Sequence, residues 1–285
     1  MRIRNRLRRL QSVTAQSAAY ALTGIALVPL ALVLGYTAAR GLPAVNHPEF
    51  FLNVERPVGI PGGGVAHAIA GTGVMVGLAS AMAIPIGVIG GLHLAEYGSG
   101  RWGATVRLTA DVLVGAPSIA IGMFAYALLV VPLHHFSAWS GAVALAVLML
   151  PVVTRTAEGA VALIPSSLRE SGLALGLPRW RVSLQLVLPA AAPGVITGAL
   201  LAVARAAGET APLLFTGFGN RFWNLDPSQP MAALPLIVFH DALTPYQALQ
   251  DEAWGAALVL VVLVLAVNLL SRWILRRQLR FAGQL

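Results

Sequence analysis

Six stretches, each long enough to cross a bilayer as a helix of about 20 apolar residues, run through this chain at roughly 15–39, 66–94, 106–132, 138–153, 193–216 and 253–275. Nothing else in the sequence restricts the fold as severely. Hydrocarbon offers no partner to a backbone N–H or C=O, so a spanning segment must satisfy its own, as a helix does. The pattern predicts an all-α, polytopic membrane protein with six transmembrane helices. Only 11% of the 285 residues are charged and 57% are hydrophobic, where a soluble domain carries about 25% charge. The first run is longer than the apolar region of a signal peptide and reads as an uncleaved span.

All 19 basic residues are arginine. Without lysine the chain cannot build a G-x-x-x-x-G-K-[ST] phosphate-binding loop or a Schiff base, and without cysteine it has neither disulfide nor thiolate metal site. It is therefore expected to be no ATPase on its own and to bind no cofactor. The net charge of +8 fits anchoring better than nucleic-acid binding, because the arginines flank apolar runs. With the N-terminus inside, fifteen arginines fall on the cytoplasmic side, including Arg2, Arg4, Arg6, Arg8, Arg9, Arg276, Arg277 and Arg280, against Arg40, Arg56 and Arg221 outside. Both termini are then cytoplasmic, with 1–14 a basic N-terminus and 15–285 the membrane domain. The outer loops, 41–65 and 217–252, hold Glu49, Glu55, Asp226, Asp241, Asp251 and Glu252 and read as docking or closing surfaces. Gly62, Gly63 and Gly64 read as a flexible hinge before the second span. Pro85, Pro117 and Pro212 fall within spans, and small residues pair at four-residue spacing at Gly73/Gly77, Gly87/Gly91 and Gly194/Gly198, a pattern that lets helices pack closely.

Two segments carry function. In the cytoplasmic stretch of about 156–190, Ser167 is placed to cap a helix from Leu168, with Glu170 at the capping-box position. Leu168, Leu173, Leu175 and Leu177 supply apolar surface, and Pro178 ends the helix. Such a helix suits a partner's groove; Trp180 between Arg179 and Arg181 suits a helix lying on lipid instead. In the fifth span, Arg205 and Glu209 stand four apart in AVARAAGET, on one helical face. Placing charge there costs about 2.5 to 3.5 kcal/mol per residue on insertion scales. Either the two neutralise each other as a strut, or the guanidinium presents its planar fork to an anion. His134 and His135 are adjacent, with no carboxylate spaced to complete a metal site, and read as an interfacial loop.

The spacing of Glu170, Gly176, Leu186, Leu188 and Pro189 resembles the EAA loop of the permeases of type I ABC importers, with Ser171 and Gly172 where two alanines are usual and Leu186 in place of isoleucine. Gly115-APSIAIGM-Phe124, the stretch 153–177, and Arg205-AAGETAPLLFTG-Phe218 together resemble the PstA family of phosphate-specific permeases. That resemblance implies a MetI-like permease fold and half of a pathway for inorganic phosphate. It implies a homologous permease as heterodimer partner, two ATPase subunits that bind ATP and Mg, and an external phosphate-binding protein. It further implies coupling to the ATPase through Glu170, Ser171, Gly172 and Gly176, and transport roles for Arg155 and Arg205. A permease for sulfate, molybdate or phosphonate is the alternative within the class, and a self-contained secondary carrier or channel the alternative outside it.

Overall fold

The computed structural model describes residues 2–282. The side chains of Arg2, Arg4, Arg6, Arg8, Arg9, Arg276, Arg277 and Arg280, on which much of the orientation argument rests, lie outside the described residues. Ten helices matter for function: α1 (Arg2–Val45), α2 (Ala66–Tyr97), α3 (Arg101–Gly115), α4 (Ser118–Ala125), α5 (Ala138–Ala162), α6 (Ser166–Ala174), α7 (Leu188–Ala207), α8 (Ala211–Thr216), α9 (Leu234–Ala242) and α10 (Gln247–Ala282). Among the described residues β structure is limited to one isolated bridge, Phe218 to Met231.

Among the described residues five helices are long and apolar enough to cross a membrane, and the bent pair 101–115 plus 118–133 makes up to six. The third run, expected as one helix, turns by 103° between α3 and α4. The cause is local. Pro117 disfavours helical backbone at the residue before it, and Ala116 is extended at φ −67°, ψ 139°. The fifth run is also interrupted and begins earlier than expected. A span-length helical run covers Arg179–Ala207, stops at Gly208 and resumes as the short α8, with Pro212 in its first turn, where the missing N–H is harmless. By contrast, Pro85 sits inside a continuous α2.

Helix α5 is the hub. Two thirds (67%) of its apolar window is buried, against 0 to 33% for the other spans. It contacts α2, α3, α4, α7 and α8. Ser137 caps its start by accepting from the Ser140 N–H at 3.1 Å, and small residues let its neighbours in. A Cβ on Gly87 would lie 2.8 Å from the Val153 Cβ, and one on Gly91 would lie 2.5 Å from the Thr154 carbonyl oxygen. Gly194 and Gly198 likewise meet Ala160 and Thr156, whereas Gly73 and Gly77 face open space. The core gathers here: Met75, Leu145, Met149, Val153 and Leu213 are all at most 2% exposed.

The 25 residues of α5 span about 37 Å, so its ends mark opposite faces of the bundle. At the first end Ala138 donates to the Gln229 carbonyl, part of the outer loop. At the other, α6 packs on the start of the run leading into α7. The triglycine is packed rather than hinge-like: a Cβ on Gly64 would meet three carbonyl oxygens, of Phe50, Glu49 and Asn53, at 2.6 to 2.8 Å. Asn53 also donates to the Gly62 carbonyl at 2.8 Å.

Candidate functional site: a broken span with an arginine at the break

The interruption of the fifth run falls on the charged pair. Arg205 occupies the last turn of α7, Gly208 is its C-cap, and Glu209 lies in the three-residue gap before α8. A helix C-terminus carries partial negative charge and an N-terminus partial positive charge. The arginine therefore stands at the end that favours a cation, and the glutamate faces the end that favours an anion. The expected pairing is present: Arg205 Nε donates to Glu209 Oε1 at 3.4 Å. That is long for a charge-assisted bond, for which about 2.7 to 2.9 Å is usual. The arginine side chain is half exposed at 49% and the glutamate mostly covered at 17%. Among the described residues Glu209 is the acceptor bonded to Arg205, so the outer fork of the guanidinium is open. A narrow crevice beside the pair is lined by Leu148, Met149 and Val152 of α5 and Ala202 and Ala206 of α7.

Arg155 is differently placed. It lies one turn past Val152 on α5, about 4.5 Å farther along the axis, and both of its ends are taken. Nε donates to Asp111 Oδ1 of α3 at 2.9 Å and Nη1 to Glu158 Oε2 at 2.5 Å. Glu158, buried in α5, accepts a second arginine: Arg107 Nε bonds its Oε1 at 2.5 Å, while the Arg107 Nη atoms donate to the Gly98 and Leu94 carbonyls. Four charges thus join α3 to α5. Sequence spacing shows the Arg155–Glu158 neighbourhood but hides Arg107 and Asp111, which are 51 and 44 residues away in the chain.

The segment expected to be cytoplasmic forms a helix, but not with the expected cap. Pro165 is its N-cap, with ψ 144°, and there is no side-chain capping bond. The helix starts at Ser166, so Ser167 is already inside it, and the Ser167 carbonyl instead accepts from the Ser171 hydroxyl at 2.8 Å. Glu170, Ser171 and Gly176 are exposed; Gly172 is buried. A Cβ on Gly172 would come within 2.7 Å of Leu186 Cδ1 and 2.9 Å of Val182 Cγ2, so this residue faces the chain's own run 179–187. Gly176 ends the helix at φ +77°, a left-handed turn that other residues adopt only at a cost. Leu173 and Leu175 are exposed at 44% and 80%, leaving apolar surface free. Arg169 was missed by sequence reasoning as more than an anchor. Its Nη2 meets Glu96 Oε1 of α2 at 2.7 Å, and its nitrogens also donate to the Ile164 and Val161 carbonyls.

The chain matches the family model described as "Binding-protein-dependent transport system inner membrane component" over residues 83–281. It is 42% identical over 247 residues to the phosphate transport system permease protein PstA of Yersinia pestis, a match covering 86% of this chain and 83% of that one. It is 44% identical over 241 residues to PstA of Xylella fastidiosa strain 9a5c, covering 84% and 83%. PstA 1 of Mycobacterium tuberculosis strain H37Rv is 40% identical over 256 residues, covering 88% and 82%. In fold, the chain superposes with a TM-score of 0.61, at 20% identity, on a chain of the inward-facing MetNI methionine ABC transporter, with 75% of this chain and 95% of that one covered.

Proposed function

Because the chain belongs to the family of inner membrane components of binding-protein-dependent transport systems, matched over residues 83–281, and its relatives are phosphate permeases, we propose that Arg205 is the charge an incoming phosphate meets within the membrane. The chain is the permease subunit of an ABC importer and forms half of the pathway for inorganic phosphate. Its partners in this reading are a homologous permease, two ATPase subunits on the cytoplasmic face that hold ATP and Mg, and an external phosphate-binding protein. Both termini are cytoplasmic, as the arginine distribution implies.

The observation that carries the reading is the open fork at the break. A desolvated phosphate needs a fixed positive partner, and a guanidinium binds two of its oxygens in one plane. Discontinuous helices place such groups in the interiors of other transporters. Glu209, holding Nε alone, aims the fork and offsets its charge while the pathway is empty. Arg155 lies one turn farther toward the cytoplasmic end of α5, already bound by Asp111 and Glu158, and steers the anion's exit through the charge balance of that network.

The motion is alternating access. ATP binding draws the ATPase dimer together, α6 with Glu170, Ser171 and Gly176 at its exposed surface moves with it, and the displacement passes through Gly172 and Arg169 into the span bases. The reading is tested by phosphate uptake in cells and in proteoliposomes with the assembled complex. Arg205→Ala abolishes uptake while assembly persists. If the pair were only a strut, the neutral double variant Arg205→Ala with Glu209→Ala would transport at close to the original rate, and that result overturns the assignment. Excess sulfate, molybdate or phosphonate leaves phosphate uptake unchanged if the pathway is specific.

A further inference from the structure

On the face read as outer, separate from the crevice at Arg205, a pocket of about 390 Å³ opens between the loop 218–221 and α9. Its walls are unlike those of the crevice at Arg205. Ala232, Leu236 and Ile237 supply an apolar side, and Glu55, Asn220, Arg221, His240, Asp241 and Thr244 supply the polar groups. Glu55 is consumed: its side chain is 8% exposed and its Oε1 lies 2.8 Å from Arg221 Nε. Asp241 is not. The residue is 2% exposed, and its Oδ2 has no hydrogen-bond partner.

Two carboxylates against one guanidinium leave a negative excess, and a buried unpartnered carboxylate is costly. Its neighbours do not relieve it: Arg221 is turned to Glu55, and Glu252, across on α10, adds a like charge. The shape limits what can. A bare metal ion wants several oxygen ligands converging on a point, and no group of three or more metal-binding side chains occurs among the described residues. An apolar wall leading to an unpartnered buried carboxylate, Asp241, beside the Glu55–Arg221 pair matches a side chain with an aliphatic stem and a cationic head.

We propose that this pocket receives an arginine or lysine side chain of the external binding protein as that protein docks, with Asp241 as its counter-charge. The inference rests on the importer reading above, which supplies a docking protein at this face. Burial raises the Asp241 carboxyl to about 7, with Glu55 adding to the rise and Arg221 opposing it. A cationic head group seated beside Asp241 would oppose that rise and favour the charged carboxylate.

The test uses the intact permease–ATPase complex in lipid nanodiscs and the purified phosphate-loaded binding protein, with affinity and dissociation rate measured directly. Asp241→Asn keeps the shape and removes the charge. It is expected to weaken docking by about thirtyfold or more, chiefly through faster dissociation, while basal ATPase activity stays unchanged. Thr244→Phe narrows the pocket from a half-buried lining position and leaves both carboxylates in place, and is expected to weaken docking similarly. Exchanging each surface arginine and lysine of the binding protein for methionine then identifies the inserted residue as the one whose loss is not additive with Asp241→Asn. Native affinity in both permease variants, or strict additivity for every basic residue, overturns the proposal and leaves the pocket to a free cation. Failure of the unmodified complex to bind the protein at all overturns the importer reading with it.

Discussion

Arg169 of α6 reaches Glu96 near the end of α2 at 2.7 Å, and the same guanidinium donates to the Ile164 and Val161 carbonyls at the end of α5. One side chain therefore ties α6, the helix proposed to meet the ATPase, to two long apolar helices. Arg169→Ala is expected to leave the chain in the membrane but to lower phosphate uptake and binding-protein-stimulated ATPase activity together, by tenfold or so for a loss of about 1.4 kcal/mol of coupling. Glu96→Gln, which keeps the backbone contacts, is expected to do less. Full stimulation in Arg169→Ala would show that α6 moves the spans by another route.

The two glycines of the same segment are expected to fail in different ways. Gly172→Leu forces a side chain against Val182 and Leu186, and overpacking of this kind costs about 1 to 3 kcal/mol. It should show as a lower unfolding midpoint of the purified complex. Gly176 has no neighbour within 4 Å of a Cβ but sits at φ +77°, so Gly176→Trp strains the turn and covers the docking surface. Its signature is a loss of coupling, with ATPase stimulation and uptake falling together at normal abundance. Equal effects of both substitutions on stability alone would remove the distinction.

Charge and geometry at the break are separable. Arg205→Lys keeps the positive charge but replaces the planar fork by a point charge. If two phosphate oxygens are held at once, the lysine variant recovers little of the uptake lost in Arg205→Ala. Recovery to more than half the original rate would mean that charge alone suffices.

Glu158 neutralises two arginines at once, so Glu158→Gln leaves Arg107 and Arg155 facing each other with Asp111 as the remaining carboxylate. The expected loss is about 1 to 3 kcal/mol, the range for a hydrogen-bonded charge left without its partner, read as a fall in the unfolding midpoint. Asp111→Asn, whose carboxylate is half exposed at 54%, is expected to cost less than about 1 kcal/mol. The reverse order would overturn the network as described.

Asp241 gives the outer face a pH dependence whose sign is fixed. Its carboxyl is raised from 3.8 to about 7 by burial and then by Glu55, with Arg221 opposing; Glu252 and His240 also face this group. The folded chain keeps the proton that the unfolded chain releases near pH 4. The stabilisation is complete below that pH, is lost as pH rises toward 7, and is gone above it. Thermal unfolding of the complex in the absence of binding protein should therefore show a slope between pH 4 and 7 that Asp241→Asn flattens. Parallel curves for the two proteins would refute it.

The number and approximate places of the spans follow from run length, because burying apolar surface and satisfying backbone groups leave a membrane segment few alternatives. The breaks do not follow, since proline is ambiguous within such runs. Pro85 and Pro151 sit inside continuous helices, while Pro117 and Pro212 stand at the starts of new ones. What differs is the tertiary packing that either re-satisfies the freed carbonyl or lets the chain turn. Arg205 and Glu209 were visible because charge is rare in an apolar run; they do pair, at 3.4 Å, but not on one helical face as expected, because the helix ends at Ala207 and Glu209 lies beyond it. The capping prediction failed because Pro165 is the N-cap of α6, so the helix starts at Ser166, two residues ahead of the expected start at Leu168. Asp241 and Glu55, 186 positions apart, share a pocket that no local spacing announces.

The hub position of α5 divides the molecule mechanically. Helices α2, α3, α4, α7 and α8 all bear on it, whereas α1 bears mainly on α10, through contacts such as the edge-on Tyr36 and Trp254 rings 5.1 Å apart. The apolar window of α1 is 0% buried. A displacement delivered to α6, as proposed above, would have this packed block to push against, with α1 beside it as an outrigger. Its surroundings, lipid or a neighbouring subunit, decide how far the block can tilt without its having to deform.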